Sequence, residues 1–191
     1  ATFTLPADQT QEWSINGAAK HPFHLHVYHV QSLNCGGDFE DGEPEGKGKE
    51  TWANGTVYEG GFEGGIAWGF GIRSEPDGGV YEGQFGYGVR EGKGKSTSPD
   101  GTVYEGDWEN DEPEGKGRQT LSDGTVYIGD FKHGQRHGKG KRTQSDGAVL
   151  IGDFEHGEAN GKGTVSFPGG TVYVGDFKHG QRHGKGKRTQ S

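Results

Sequence analysis

Apolar residues in this chain recur in pairs, and glycine separates the members of each pair. Tyr104, Gly106 and Trp108 alternate with Val103, Glu105 and Asp107, the period-two pattern of a strand with one apolar face. The run Gly115-Lys116-Gly117-Arg118 follows and predicts a return strand with glycines on one face and cations on the other. Residues 110–114 predict the hairpin loop, and Asp123-Gly124 the tight turn into the next unit, where positive φ is tolerated. The unit repeats along the chain. The glycine before each x-aromatic step falls at Gly37, Gly60, Gly83, Gly106, Gly129, Gly152 and Gly175, each 23 residues after the last. The closing Gly-x-Gly keeps the same step from Gly46 to Gly184. A fixed period of this size signals a repeat architecture.

The elements therefore predict an all-β fold, an elongated single-layer antiparallel sheet of about seven hairpins. At ~4.8 Å per strand it would run ~65–70 Å end to end and twist. The stripe Tyr58/Phe62, Tyr81/Phe85, Tyr104/Trp108, Tyr127/Phe131, Leu150/Phe154 and Tyr173/Phe177 is predicted to be the core, with rings covering cross-strand glycines. On the other face carboxylates would oppose cations of the next strand. Residues 31–53 form a degenerate first copy in which Cys35 takes the tyrosine position and Phe39 the second aromatic. The division is thus a short β segment over residues 1–30 and a repeat sheet over 31–191.

Composition alone points elsewhere. Leu, Ile, Val and Phe make up thirty-one of 191 residues, below the ~20% at which disorder becomes the usual expectation. Forty glycines and a mean hydropathy of −0.95 point the same way. The periodicity overrides that prior, because the aromatics recur in register. The net charge of −8 argues against nucleic acid as a partner, although Lys139-Gly140-Lys141-Arg142 and Lys185-Gly186-Lys187-Arg188 make the last copies locally basic. A single cysteine excludes an intrachain disulfide. No apolar run is long enough to span a membrane as a helix, and no signal-like stretch follows Ala1. The Gly-x-Gly runs lead into strands, so they are not phosphate loops.

Candidate chemistry sits outside the repeats. Residues 2–5 and 11–15 read as short strands, and a third follows the run His21-Pro22-Phe23-His24-Leu25-His26. His24 and His26 share a strand face, ~6–7 Å apart at Cα, and imidazole clusters suit copper. His29 falls on the opposite face. Glu12-Trp13-Ser14-Ile15-Asn16-Gly17 together with the histidine run resembles the C-terminal cupredoxin domain of multicopper oxidases, the laccase-like enzymes, over residues 3–42. The resemblance implies copper as cofactor. His21 would match the type 1 ligand, His24 a type 2 ligand and His26 a type 3 ligand. It also implies oxidase activity on phenols or reduced metal ions with oxygen as acceptor. Cys35 has no flanking histidine and does not match that family's type 1 cysteine, so this chain alone would not assemble the trinuclear cluster.

The repeat itself, Tyr-x-Gly-x-aromatic followed by Gly-x-Gly and Asp-Gly, is similar to the MORN repeat family over residues 31–191. That resemblance implies a hairpin per copy and a scaffold for protein or phospholipid binding. The sequence reading is a copper-binding protein with laccase-like activity, its histidines presented on a repeat scaffold; the alternative is a non-enzymatic scaffold. Residues 125–145 and 171–191 differ only at Ile128 and Val174, and an exposed terminal strand would pair with a second copy of the chain. His133, His137, His156, His179 and His183 are read as residues of the hairpin loops.

Overall fold

The computed structural model describes residues 30–33, 38–40 and 43–190. The N-terminal strands read from the sequence, and His21, His24, His26, His29 and Cys35, lie outside the described residues. Among these residues every regular element is a strand. β1 (Val30–Leu33), β2 (Asp38–Glu40) and β3 (Glu43–Trp52) open the sheet. Six hairpins follow: β4 (Val57–Glu63) with β5 (Ile66–Ser74), β6 (Val80–Gly86) with β7 (Val89–Thr97), β8 (Val103–Glu109) with β9 (Glu112–Thr120), β10 (Val126–Lys132) with β11 (Gln135–Thr143), β12 (Val149–Glu155) with β13 (Glu158–Ser166), and β14 (Thr171–Lys178) with β15 (Gln181–Gln190). From β3 to β15 the strands pair antiparallel in chain order, and β1 and β2 both pair with β3. With β2–β3 as the first hairpin, this is the expected all-β sheet of seven repeated hairpins.

The pairing is in register at glycine. Gly106 stands opposite Gly94 and Gly117, and the same match continues through every neighbouring strand from Gly48 to Gly186. Paired glycines leave bare backbone, and the tyrosines cover it. An added Cβ at Gly117 would lie 2.5 Å from Oη and Cε2 of Tyr104. The aromatic stripe is buried from Tyr58 to Phe177. Its rings meet edge to face in one zigzag, Phe62, Tyr58, Phe85, Tyr81, Trp108, Tyr104, Phe131, Tyr127 and Phe154, at 4.8–5.2 Å between centroids. That geometry is the favoured one for aromatic quadrupoles. Leu150 replaces a tyrosine in the sixth copy, where Leu150, Ala159 and Val165 fill the core instead.

Each buried phenol needs a partner. The hydroxyl donates to the carbonyl three residues on: Tyr58 to Gly61 (2.8 Å), Tyr81 to Gln84 (2.9 Å), Tyr104 to Asp107 (2.8 Å) and Tyr127 to Asp130 (3.0 Å). Tyr127→Phe keeps the ring and removes the donor. Urea denaturation is expected to show a loss of about 1 kcal/mol, the usual net worth of such a bond.

Three local expectations are corrected. The hairpin turns have two central residues, not five. Asn110 and Asp111 take φ of 50° and 67°, the positive pair of a tight hairpin turn matched to strand twist, and β9 resumes at Glu112. His137 and His183 are strand residues opposite Asp130 and Asp176, whereas His133, His156 and His179 do lie at turn positions with positive φ. Gly115 does not share a face with Gly117. Its φ of 70° turns a built Cβ toward the Asp107 carboxylate at 3.2 Å, because a bulge sets Asp107 opposite three residues of β9. In the first copy, Leu33 pairs with Glu50, the place that the repeat register assigns to Cys35.

Candidate functional site

With the aromatic face closed over glycine, the opposite face carries what the protein presents. Side chains one residue to either side of the glycine row project there and form two parallel rows. One row is an ion ladder in which Lys93, Lys116 and Lys139 each pair with an aspartate of the next strand, Asp107, Asp130 and Asp153. These aspartates also hold the bulges. Asp107 Oδ2 accepts from the backbone N–H of Lys116 (3.1 Å), and Asp130 Oδ2 from that of Lys139 (3.2 Å). The second row runs Glu82, Lys95, Glu105, Arg118 and Ile128 in cross-strand register. Between the rows lies a shallow trench of about 810 Å³. Gly83, Gly94, Gly106, Gly117 and Gly129 make its floor, and Phe70 and Ile128 mark its ends.

The electrostatics of this face follow from its bonds. The Lys93 ammonium beside Asp107 is the main cause holding that carboxyl below the usual carboxylate range. At the turn edge, Asp100 accepts from the N–H (2.9 Å) and hydroxyl (3.0 Å) of Thr102, and Asp123 does the same for Thr125 (2.7 and 3.1 Å). These bonds lower both carboxyls. A carboxyl depressed in the fold stabilises it above the unfolded value near ~3.9, and that contribution is lost as pH falls through the folded value. Thermal unfolding from pH 7 down to 2 should therefore show a falling midpoint below about pH 4. The combined variant Asp100→Asn/Asp123→Asn should show a shallower fall.

The sequence reading placed the carboxylates and cations of this face correctly but missed an apolar stretch within it. Where β9 reads Glu-Pro-Glu-Gly-Lys-Gly-Arg, β5 reads Ile-Ala-Trp-Gly-Phe-Gly-Ile over residues 66–72. Aligning the copies by their period, instead of reading one copy as representative, exposes the difference. Ala67 joins the core, while Ile66, Trp68, Phe70 and Ile72 are exposed. Of the expected metal ligands, none falls among the described residues. Among the described residues no three His, Cys, Asp or Glu side chains gather to hold a metal ion.

Comparison with known proteins adds the following. A sequence model of the MORN repeat matches seven segments: residues 37–57, 58–80, 81–103, 104–126, 127–149, 151–172 and 173–191. No curated protein matches the chain. Among solved structures, one match is the SAS-4 (dCPAP) TCP domain of Drosophila melanogaster, in complex with a proline-rich motif of Ana2 (dSTIL). It has a TM-score of 0.46 and 14% identity, over 68% of this chain and 72% of that one. Another is the TCP10 domain of Danio rerio CPAP in complex with a peptide of Danio rerio STIL, with a TM-score of 0.34 and 18% identity over 78% and 76%.

Proposed function

The chain belongs to the MORN repeat family, and from that premise we infer that it is a scaffold that docks a protein partner on the charged face of its sheet. The observation that carries this reading is the division of labour between the faces. One is spent on the buried ring ladder; the other holds a trench whose rim charges are fixed in register. Fixed alternating charge favours selectivity among partners. The net charge of −8 works against anionic membrane surfaces. Phosphatidylserine vesicles at low salt are accordingly expected not to float the protein, and flotation would replace a protein partner with a phospholipid one. The scaffold itself is tested by a benzophenone side chain at Glu105, on the trench rim, and at Ser122, on the turn edge. In native extract the first should cross-link a protein and the second should not. Equal or absent cross-linking at the two positions would overturn the reading.

A second reading rests on the sequence of His21, His24 and His26. Three imidazoles are a donor set suited to copper. The test is copper stoichiometry with electron paramagnetic resonance, on the protein and on its triple His→Ala variant. Equal uptake by both, or no stoichiometric uptake, ends this reading and with it any laccase-like activity.

A further inference from the structure

We propose that the second repeat, with the turn of the third, carries a docking site for a basic, amphipathic peptide segment of a partner protein, with Trp68, Phe70 and Tyr87 as its anchors. The proposal rests on the scaffold reading and names the partner's chemistry. Three observations converge on it.

The first is substitution in register. At the positions where β7, β9 and β11 offer Lys93 and Lys95, Lys116 and Arg118, and Lys139 and Lys141, β5 offers Phe70 and Ile72. Phe70 is 61% exposed. Ile66 and Trp68 precede Gly69, whose φ of 72° interrupts the simple alternation, and Phe70 and Ile72 follow it; all four are exposed. Single exposed apolar residues are ordinary; a contiguous row on a charged face marks an interaction surface.

The second is the neighbouring turn. Tyr87 sits there with φ of 52° and is 81% exposed, its ring edge to face with Trp68 at 5.0 Å. Neighbouring copies fasten the equivalent turn differently. Glu45 accepts from the N–H of Gly64 (3.1 Å), and Glu114 from that of His133 (2.8 Å). At the Glu45 and Glu114 position the second copy has Trp68, and an aromatic clasp stands there instead. A bulky aromatic in the left-handed region is uncommon, and here it enlarges the apolar row.

The third is charge, which chooses the occupant. Within residues 57–86 Arg73 is the sole Lys or Arg. It is turned to the aromatic face, 3.0 Å from Glu75 and over the ring of Phe85. On the side of the apolar row Glu59, Glu63 and Glu82 are exposed. A partner segment bearing apolar side chains flanked by Lys or Arg meets both features. An anionic membrane meets neither, since the carboxylates repel it. Residues 1–29 of this chain supply apolar side chains, but Lys20 is their one Lys or Arg.

The probe is a labelled 14-residue helix-forming peptide of Leu and Lys with one apolar stripe, followed by fluorescence anisotropy. Its counterparts carry Glu for Lys or Ser for Leu. The Leu/Lys peptide should saturate at one per chain, and the counterparts should bind at least tenfold more weakly. Trp68→Ser and Phe70→Ser leave charge and core untouched and should each weaken binding tenfold or more with little change in melting temperature. Ile151→Ser, exposed on the same face in a distant copy, should not. Equal binding by the Trp68 and Phe70 variants, or by the Glu peptide, overturns the proposal. So does a dimer that Phe70→Ser dissolves, or a photo-cross-link from position 87 to residues 1–29. Loss of peptide binding with the Glu105 cross-link intact removes this proposal alone; loss of both removes the scaffold reading.

Discussion

Gly117→Ala is expected to destabilise the sheet by about 3 kcal/mol, the upper part of the range for forcing extra volume into a packed site. For a chain of this size that lowers the melting temperature by ~6–12 °C. The cost is steric and not conformational, because Gly117 is absent from the positions with positive φ. Its new methyl would stand 2.5 Å from Oη and Cε2 of Tyr104, with Cζ at 2.7 Å. The ring has little room to retreat: it is edge to face with both Trp108 and Phe131 and bonded to the Asp107 carbonyl. The sixth copy supplies the control. Gly163 is the equivalent residue, but Leu150 replaces the tyrosine, and the nearest atoms to an added Cβ are Ile151 O and the Phe177 ring at 3.2 Å. Gly163→Ala should cost ~1 kcal/mol or less, within reach of small local adjustment. Adding Leu150→Tyr should make Gly163→Ala as costly as Gly117→Ala, a coupling that a double-mutant cycle reads directly. Equal losses at Gly117 and Gly163 in the parent chain would refute the ring-over-glycine account.

The period of 23 made the sheet legible because each copy specifies its own hairpin and meets its neighbours in the same way. Tyr104, Gly106 and Trp108 declared their shared face through simple alternation. What alternation hides is any position where φ changes sign. Gly115 therefore lies off the face its sequence parity predicts. Residues 110–114 read as loop because they hold Asn, three acids and a proline. Yet Pro113 sits inside β9 opposite Trp108 and beside the bulge, where its carbonyl accepts from Gly134 of the next turn (3.0 Å). The apolar row of β5 escaped for the opposite reason. It is a departure from the repeat, and a consensus erases departures. The histidine run was legible only as a motif, and the copper reading it placed first gives way to the scaffold reading that the repeats support.

Alkali is expected to unfold the sheet in one cooperative step between about pH 10 and 12. Burial pushes the phenols of Tyr58, Tyr81 and Tyr127 up to about 12, and that of Tyr104 further in the same direction. A phenol raised in the fold contributes fully below its unfolded value near ~10, and the contribution drains away as pH rises toward the folded value. Across the three tyrosines these shifts withdraw stability on the order of several kcal/mol by about pH 12. Total stabilities of ~5–15 kcal/mol leave little margin against that. Because the nine rings from Phe62 to Phe154 form one zigzag, an ionised tyrosine strips contacts from both neighbours. In a Tyr28→Phe/Tyr87→Phe variant, which leaves the tyrosines of the ring ladder in place, phenolate absorbance and the loss of β-sheet circular dichroism should therefore rise together, with one midpoint. Phenolate appearing gradually near pH 10 on an intact sheet would show that the rings are not sealed. The break at Leu150 sets the boundary of this unit. Among the described residues no ring pair joins β14–β15 to the zigzag; Leu150, Ala159 and Val165 of the shared core and backbone pairing make the link instead, so its amides should exchange hydrogen before those of β6–β11 as the pH climbs.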